Sequence, residues 1–396
     1  MERIGSFGYG NFGSVWASDI EGHPDSVLEF VSDPRFNEVE NLTDEVPGEP
    51  EISDQDFSQA VEVSSRNGKP RNYEILDENL IARIEDLDQA VVATSTDSHF
   101  ELGLVLSEAE IDIMLEKPPT ESPEETELLL EALEENDVKA GVNMIERQHP
   151  AYKAAKDVFD DEIGHIFNYR SKDLRGKDRG LGGGEGSRII MEDLIHDLSE
   201  IEGLTEQSLT DSTVENADVN RWNEIGDFDY RTDVDAEVVI RYDDGPEAEL
   251  RGSFADEERR YFVAVNREKD RAFYVNTLSR DHISPQAAII EGEDNIEYLE
   301  EVARNGMILD DEAQRVLMEK VDAETLEEEM EKHVPDSKYV DEKPMFGWAP
   351  VYNQVENMTS DAEPVTDLEE VYGYQKIIQE IYEASGKSDA TSPELS

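Results

Sequence analysis

The sequence predicts an α/β chain. An N-terminal domain holds a parallel sheet between helices, and a C-terminal α+β domain holds an open, mostly antiparallel sheet. Three observations predict this. Short apolar strands alternate with helix-length spacers up to about residue 150, the pattern of a sheet covered on both faces. Beyond it the strands crowd together with hairpin-like turns such as Asp243-Asp244-Gly245, which suits antiparallel pairing. The length, 396 residues, exceeds what one core usually fills.

The elements follow in order. Arg3–Phe7 is a short strand, then Gly8-Tyr9-Gly10-Asn11-Phe12-Gly13, then a helix through Val15 and Trp16. A second strand, Val27–Val31, ends at Ser32-Asp33-Pro34. Residues 43–72 are polar, with Pro47, Pro50, Gly68 and Pro70, and read as an insertion. A helix near 74–83 precedes the strand Gln89–Ala93, and a helix near 100–107 precedes the strand Ile111–Leu115. Ser122-Pro123-Glu124-Glu125 supplies an N-cap, a Pro at the first helical position and a capping-box Glu. Strand Val138–Met144 completes the first domain, 1–150. In the second domain, 151–385, strands are expected at 236–242, 247–254, 260–265 and 272–275, and helices near 294–305, 312–332 and 367–383. The last residues, 386–396, read as a flexible tail.

Composition excludes several partners. The chain carries 35 Lys and Arg against 97 Asp and Glu, a formal charge of −62. Nucleic acid and anionic membranes both require basic footprints, so neither is expected. No stretch approaches the ~20 apolar residues of a membrane span, and no signal-like segment opens the sequence. The acidity is spread along the whole chain. Such charge strains a fold in dilute buffer but is screened in molar salt, where the Debye length is ~3 Å. The expectation is a cytoplasmic protein of a halophilic archaeon. With no Cys, disulfides and thiolate chemistry are excluded. There is no H-E-x-x-H or EF-hand loop, so no specific metal site is expected.

Gly8–Gly13 matches G-x-G-x-x-G. Gly8 permits the tight turn, Gly10 lets a pyrophosphate approach the backbone, and Gly13 allows close helix–strand contact. The helix N-terminus adds N–H donors and a partial positive charge. Asp33 follows Gly13 by 20 residues, where a carboxylate binds the adenosine ribose. This strand–turn–helix predicts a Rossmann dinucleotide site. Asp33 favours NAD, because a carboxylate repels a 2′-phosphate; Arg35 keeps NADP possible.

Two further groups carry chemistry. Lys117, in Glu116-Lys117-Pro118 after a strand, stands where open α/β sheets place ligands and could bind a hydroxyl or help move a proton. His196 has Glu192 at i−4 and Asp193 at i−3, either of which can share its helix face. Taken alone, Lys117 also reads as a solvated cation and His196 as a surface histidine among acids.

The order of motifs is more specific than any one. Gly8–Gly13, Val91-Val92-Ala93-Thr94-Ser95-Thr96-Asp97-Ser98-His99, Glu116-Lys117-Pro118, Glu146-Arg147-Gln148-His149-Pro150 and Leu194-Ile195-His196-Asp197 together resemble the Gfo/Idh/MocA oxidoreductases. The resemblance is strong over residues 1–200 and diffuse beyond. It implies a Rossmann domain plus a C-terminal substrate-binding and oligomerisation domain, and a homo-oligomer. Gly8, Tyr9, Gly10, Asn11, Phe12, Gly13, Asp33, Arg35, Thr94, Ser95, Thr96, His99, Glu116 and Lys117 would bind cofactor. Lys117 and His196 would be catalytic, with Glu192 as the histidine's partner, one methylene longer than the family's usual Asp. Ser199 replaces a second acid common in the family. Gly182-Gly183-Gly184 would belong to a substrate loop.

The implied activity is hydride transfer between NAD(P) and a secondary alcohol of a sugar, cyclic polyol or nucleotide sugar. Arg147-Gln148-His149-Pro150 resembles a segment of the nucleotide-sugar members, and Arg147 and Asp193 would contact substrate. Arg147, Arg170, Lys172, Arg175, Lys177 and Arg179 either hold an anionic substrate or offset neighbouring acids. The alternative function is a nucleotide-binding regulatory or scaffold protein without turnover.

Overall fold

The strand β1 (Glu2–Phe7) is flanked in parallel by β2 (Ser26–Ser32) and β5 (Gln89–Val92). This comes from a computed structural model that describes residues 1–33, 60–61, 73–74, 84, 86–159, 162–171, 193–221, 233–243, 245–253, 259–276, 287–304, 332, 345–360 and 362–387. Beyond β5 lie β6 (Asp112–Leu115) and β7 (Ala140–Val142), giving the order β2-β1-β5-β6-β7, all parallel. Ala90, Val91, Val92, Ile113, Met114, Leu115 and Val142 are buried. Such continuous apolar runs are what a sheet covered on both faces requires.

Helices fill the crossovers. In α1 (Asn11–Gly22), Val15, Trp16, Ala17 and Ile20 form the buried stripe. α2 (His99–Glu108) buries Leu102 and Leu106. α3 (Pro123–Asn136) starts as its sequence dictates, with Ser122 Oγ accepting from the Glu125 N–H. The return bond of Glu125 goes to the Glu121 N–H, one residue before the cap. Of the insertion, the described residues form a two-residue ladder, β3 (Ala60–Val61) with β4 (Tyr73–Glu74). The helices expected near 74–83 and 312–332 lie outside the described residues, apart from Glu74 and Lys332.

The chain divides into two units, residues 1–143 with 351–369 and residues 144–350 with 370–396. The boundary therefore precedes the expected one, and a late segment rejoins the first unit. There Val142 N–H donates to Thr366 O, Gly141 bridges Asp367, and Gln89 Nε2 donates to Met358 O.

The second unit is built on seven strands: β8 (His165–Ser171), β9 (Ser212–Arg221), β10 (Asp233–Tyr242), β11 (Glu247–Ser253), β12 (Arg259–Asn266), β13 (Arg271–Asn276) and β14 (Ala287–Glu291). Their order is β14-β13-β12-β8-β11-β10-β9, and β8–β11 is the one parallel pair. One face packs on α4 (Pro150–Val158) and the residue after it, through Tyr152–Phe262 and Phe159–Phe273 edge contacts. The other face buries Phe167, Tyr169, Tyr261, Val263 and Val265 with Ile296 and Leu299 of α6 (Glu293–Arg304). α5 (Ile195–Thr205) carries His196. α7 (Met345–Thr359) and α8 (Leu368–Ala384) close the chain. No helix among the described residues is long and apolar enough to cross a membrane.

Candidate nucleotide and substrate sites

In the first unit the chain leaves β1 for β2 on one side and returns to β5 on the other. That reversal is a topological switch point, and ligands bind at the carboxyl ends of its strands. Gly8 sits there with φ +91°, a region that disfavours any residue with a Cβ. A Cβ on Gly8 would lie 2.3 Å from Ala93 O, so the turn is packed directly on the loop after β5. A Cβ on Gly13 would lie 2.2 Å from Gly8 O, which explains the glycine at the close helix–strand contact. Gly10 differs, since a Cβ there meets nothing within 4 Å among the described residues. Its bareness relieves no internal clash and leaves room above the turn.

Asp33 caps this arrangement. It is buried at the end of β2, and its Oδ2 accepts the Tyr9 N–H at 2.7 Å. Gly8 N–H donates to Ser32 O at 2.7 Å. The carboxylate is thus held beside the glycine turn by the turn itself. Phe12 is exposed on the first turn of α1. Arg35 lies outside the described residues.

The loop after β5 contains Thr94 and Thr96, both half-buried, and exposed Ser95. Thr94 Oγ1 accepts from Ser98 Oγ, and Ser95 Oγ donates to Asp97 Oδ1. His99 is engaged by the protein backbone on both ring nitrogens. Its ring is buried, Nδ1 lies 3.0 Å from Pro118 O and Nε2 3.2 Å from Thr94 O. Both nitrogens face backbone carbonyls, so the side chain joins the Thr94 loop to the Glu116-Lys117-Pro118 turn. Burial pulls its pKa down, against those carbonyls.

Glu116 is likewise held by protein. Its Oε1 accepts from Trp16 Nε1 at 2.8 Å and from Asn143 Nδ2 at 2.7 Å. Burial raises its pKa although both donors oppose the shift. Trp16 and Asn143 were not anticipated as partners, because the contacts span 100 and 27 residues. Lys117 follows, half-buried at the carboxyl end of β6.

In the second unit His196 lies buried in the first turn of α5, with Asp193 buried just before it. Glu192 lies outside the described residues, as do Lys172, Arg175, Lys177, Arg179 and Gly182–Gly184. Arg147 is ion-paired within the second unit. Its Nη1 donates to Glu370 Oε2 at 3.1 Å, and its Nε sits 2.7 Å from where a Gly203 Cβ would be. That guanidinium is packed over α5 and paired with an acid. Arg170 is buried among Glu146, Asp197 and Glu200. For these two cations, offsetting neighbouring acids is the outcome.

One mixed cluster has metal-ligating groups. Among the described residues, His165, Glu247 and Glu249 bring ligating atoms within 4.8 Å of one another. His165 Nε2 lies 3.0 Å from Glu249 Oε1, and Glu247 also pairs with Arg241, so the grouping is an ion-pair cluster as it stands.

Comparison with known proteins agrees with this geometry. Residues 3–144 match the model of the GFO_IDH_MocA oxidoreductase family, NAD-binding Rossmann fold. This segment matches the family's NAD-binding Rossmann domain, and the chain is an NAD(P)-dependent dehydrogenase. A search of curated sequences finds no match. Among solved structures, a UDP-N-acetylglucosamine 3-dehydrogenase from Acidithiobacillus ferrooxidans is 15% identical, with 97% of each chain covered and a TM-score of 0.63. An oxidoreductase from Agrobacterium radiobacter, solved with NAD+, L-tartaric acid and magnesium, is 14% identical, with 97% of this chain and 96% of that one covered and a TM-score of 0.65. A levoglucosan dehydrogenase solved with NADH and levoglucosan is 12% identical, with 97% of each chain covered and a TM-score of 0.64. At these identities the likeness concerns the fold.

The Gfo/Idh/MocA-type turn fits NAD on its own geometry. The open space at Gly10, the positive φ of Gly8 and the fixed Asp33 carboxylate are what a pyrophosphate and an adenosine ribose require.

Proposed function

We propose that the protein transfers hydride between NAD and a secondary alcohol of a sugar, cyclic polyol or nucleotide sugar. The observation that carries the reading is the first unit's arrangement. A glycine turn open at Gly10, after β1, and a lysine after β6 stand at the carboxyl ends of one parallel sheet, with β5 between the two strands. Two similar structures, a UDP-N-acetylglucosamine 3-dehydrogenase and a levoglucosan dehydrogenase, support the substrate class.

NAD, when bound, supplies the hydride acceptor. The chain's own groups handle the proton. With the hydride taken up, oxidation of the secondary alcohol to a ketone leaves one hydroxyl proton for the chain to accept. His196 accepts that proton from the hydroxyl, and Lys117 stabilises the developing alkoxide. Glu116, held by Trp16 and Asn143, fixes the backbone from which Lys117 projects. Reduction runs through the same groups in reverse.

A panel of polyols, sugars and nucleotide sugars tests this with NAD+. Lys117→Ala and His196→Ala are expected to lose turnover by at least about a hundredfold while keeping NADH binding. Normal turnover by either variant contradicts the assigned roles. The acidity further supports a home in molar-salt cytoplasm, where the thermal midpoint should rise with KCl. A midpoint that falls with salt opposes that setting.

A further inference from the structure

Strand β8 sends two polar side chains, Asn168 and Arg170, to one buried face, since residues i and i+2 of a strand share a face. Both meet α5. Arg170 Nε donates to Asp197 Oδ1 at 2.7 Å and Nη1 donates to Glu146 Oε1 at 3.1 Å. Its Nη2 lies 3.7 Å from Glu200 Oε2, which accepts from Asn168 Nδ2 at 2.8 Å. Arg170, Glu146, Asp197 and Glu200 are 3%, 4%, 0% and 2% exposed.

One guanidinium therefore faces three buried carboxyl groups. It can balance one negative charge. An ionised carboxylate buried without compensation is too costly to persist, and such a group binds a proton instead. Glu200 is the member furthest from the guanidinium, so it is the least compensated.

We propose that this quartet holds a proton at neutral pH, chiefly on Glu200, and that through Asp197 it positions the first turn of α5 and hence His196. The functional half rests on the reading of His196 as acid/base; the bound proton does not. Arg170 is then a positioning residue, acting through the neighbour of His196.

Three further groups stand near the quartet. Among the described residues, Asp193 adds a further negative charge. His149 faces Glu146, but burial holds the imidazole's pKa down at about 4, so it is neutral. Tyr152 donates its hydroxyl to the Glu200 backbone carbonyl at 2.7 Å. Burial pushes Asp197 up to about 7 and Glu200 well above the carboxylate range, with Arg170 opposing both shifts.

The test uses the full chain, labelled with 13C at histidine Cε1, followed by NMR across pH 5.5–9 at constant ionic strength. His196→Ala assigns the signal. In the wild type the His196 resonance is expected to show two inflections, its own and the quartet's. In Glu200→Gln, whose amide oxygen still accepts from Asn168, the second inflection should vanish. Arg170→Met should displace the resonance and Arg170→Lys should largely restore it.

Denaturant unfolding of the wild type and Glu200→Gln gives a second readout. The folded wild type holds a proton that the unfolded chain releases. Its midpoint relative to Glu200→Gln should therefore fall as pH rises through the quartet's range. Superimposed profiles in both measurements overturn the proposal. A midpoint difference without the second His196 inflection keeps the proton and overturns the positioning link. If Arg170→Met does not fold, Glu200→Gln decides. Normal turnover by His196→Ala would overturn the catalytic reading while leaving the quartet's proton measurable.

Discussion

Trp16 Nε1 donates to Glu116 Oε1 at 2.8 Å, tying the helix behind the glycine turn to the turn that carries Lys117. Both residues are buried, so the bond is made away from water. The glycine-turn helix and the proposed catalytic lysine are therefore coupled through one carboxyl group, which Asn143 also engages.

Removing that carboxyl should be costly. Glu116→Ala leaves the Trp16 and Asn143 donors without their acceptor, and each such loss costs about 1–3 kcal/mol. Glu116→Gln keeps an acceptor oxygen and should cost less. Urea unfolding with tryptophan emission measures both. Equal stability of Glu116→Ala and the wild type would show that the bond carries no weight.

Gly8 is constrained by conformation and by contact together. Gly8→Ala places a methyl against Ala93 O at a φ of +91°, so a loss of at least about 1–3 kcal/mol is expected. Thermal melting reads it directly. An unchanged melting temperature would refute the turn as described.

Asp33 acts by charge as well as by its bond to Tyr9 N–H. Asp33→Asn keeps an acceptor oxygen but removes the repulsion of a 2′-phosphate. The ratio of NADPH to NADH affinity should rise about tenfold, about 1.4 kcal/mol. Parallel titrations of the two cofactors would expose a ratio that does not move.

His149 makes stability depend on pH. Burial lowers its pKa from 6.5 to about 4, with Glu146 opposing, and its Nδ1 accepts the Ala151 N–H. Between those values the unfolded chain binds the proton and the folded one does not. Stability from this group is therefore present above pH 6.5 and lost as pH falls towards 4, on the order of 3 kcal/mol. His149→Gln should flatten that part of the profile relative to wild type. Unfolding midpoints at about pH 4.5 and about pH 7 for both proteins decide it.

What the sequence revealed was local. The turn Gly8–Gly13 between β1 and α1, and the Ser122 cap of α3, depend on residues a few positions apart, and they stand as expected. What it hid was distant. The partner of Arg147, Glu370, lies 223 residues away, so no local pattern pairs them. Strand β8 was missed because Asn168 and Arg170 interrupt its apolar pattern, and their satisfaction comes from α5. β9 was missed because an edge strand with mostly polar residues carries little periodic signal. The return of residues 351–369 to the first unit rests on pairings such as Gly141 with Asp367, which no local pattern announces. Glu200 had no signal at all in a chain with 97 acidic residues.

The most direct measurement is an equilibrium titration of NADH into the folded protein and into Gly10→Val, both in molar KCl. A Cβ at Gly10 meets no protein atom within 4 Å among the described residues, so Gly10→Val should fold as the wild type does and lose NADH affinity by at least about tenfold, about 1.4 kcal/mol. Saturable binding by the wild type, weakened in Gly10→Val, is the predicted result. Folded wild-type protein that binds no NADH, or a Gly10→Val that binds it equally well, would contradict the account.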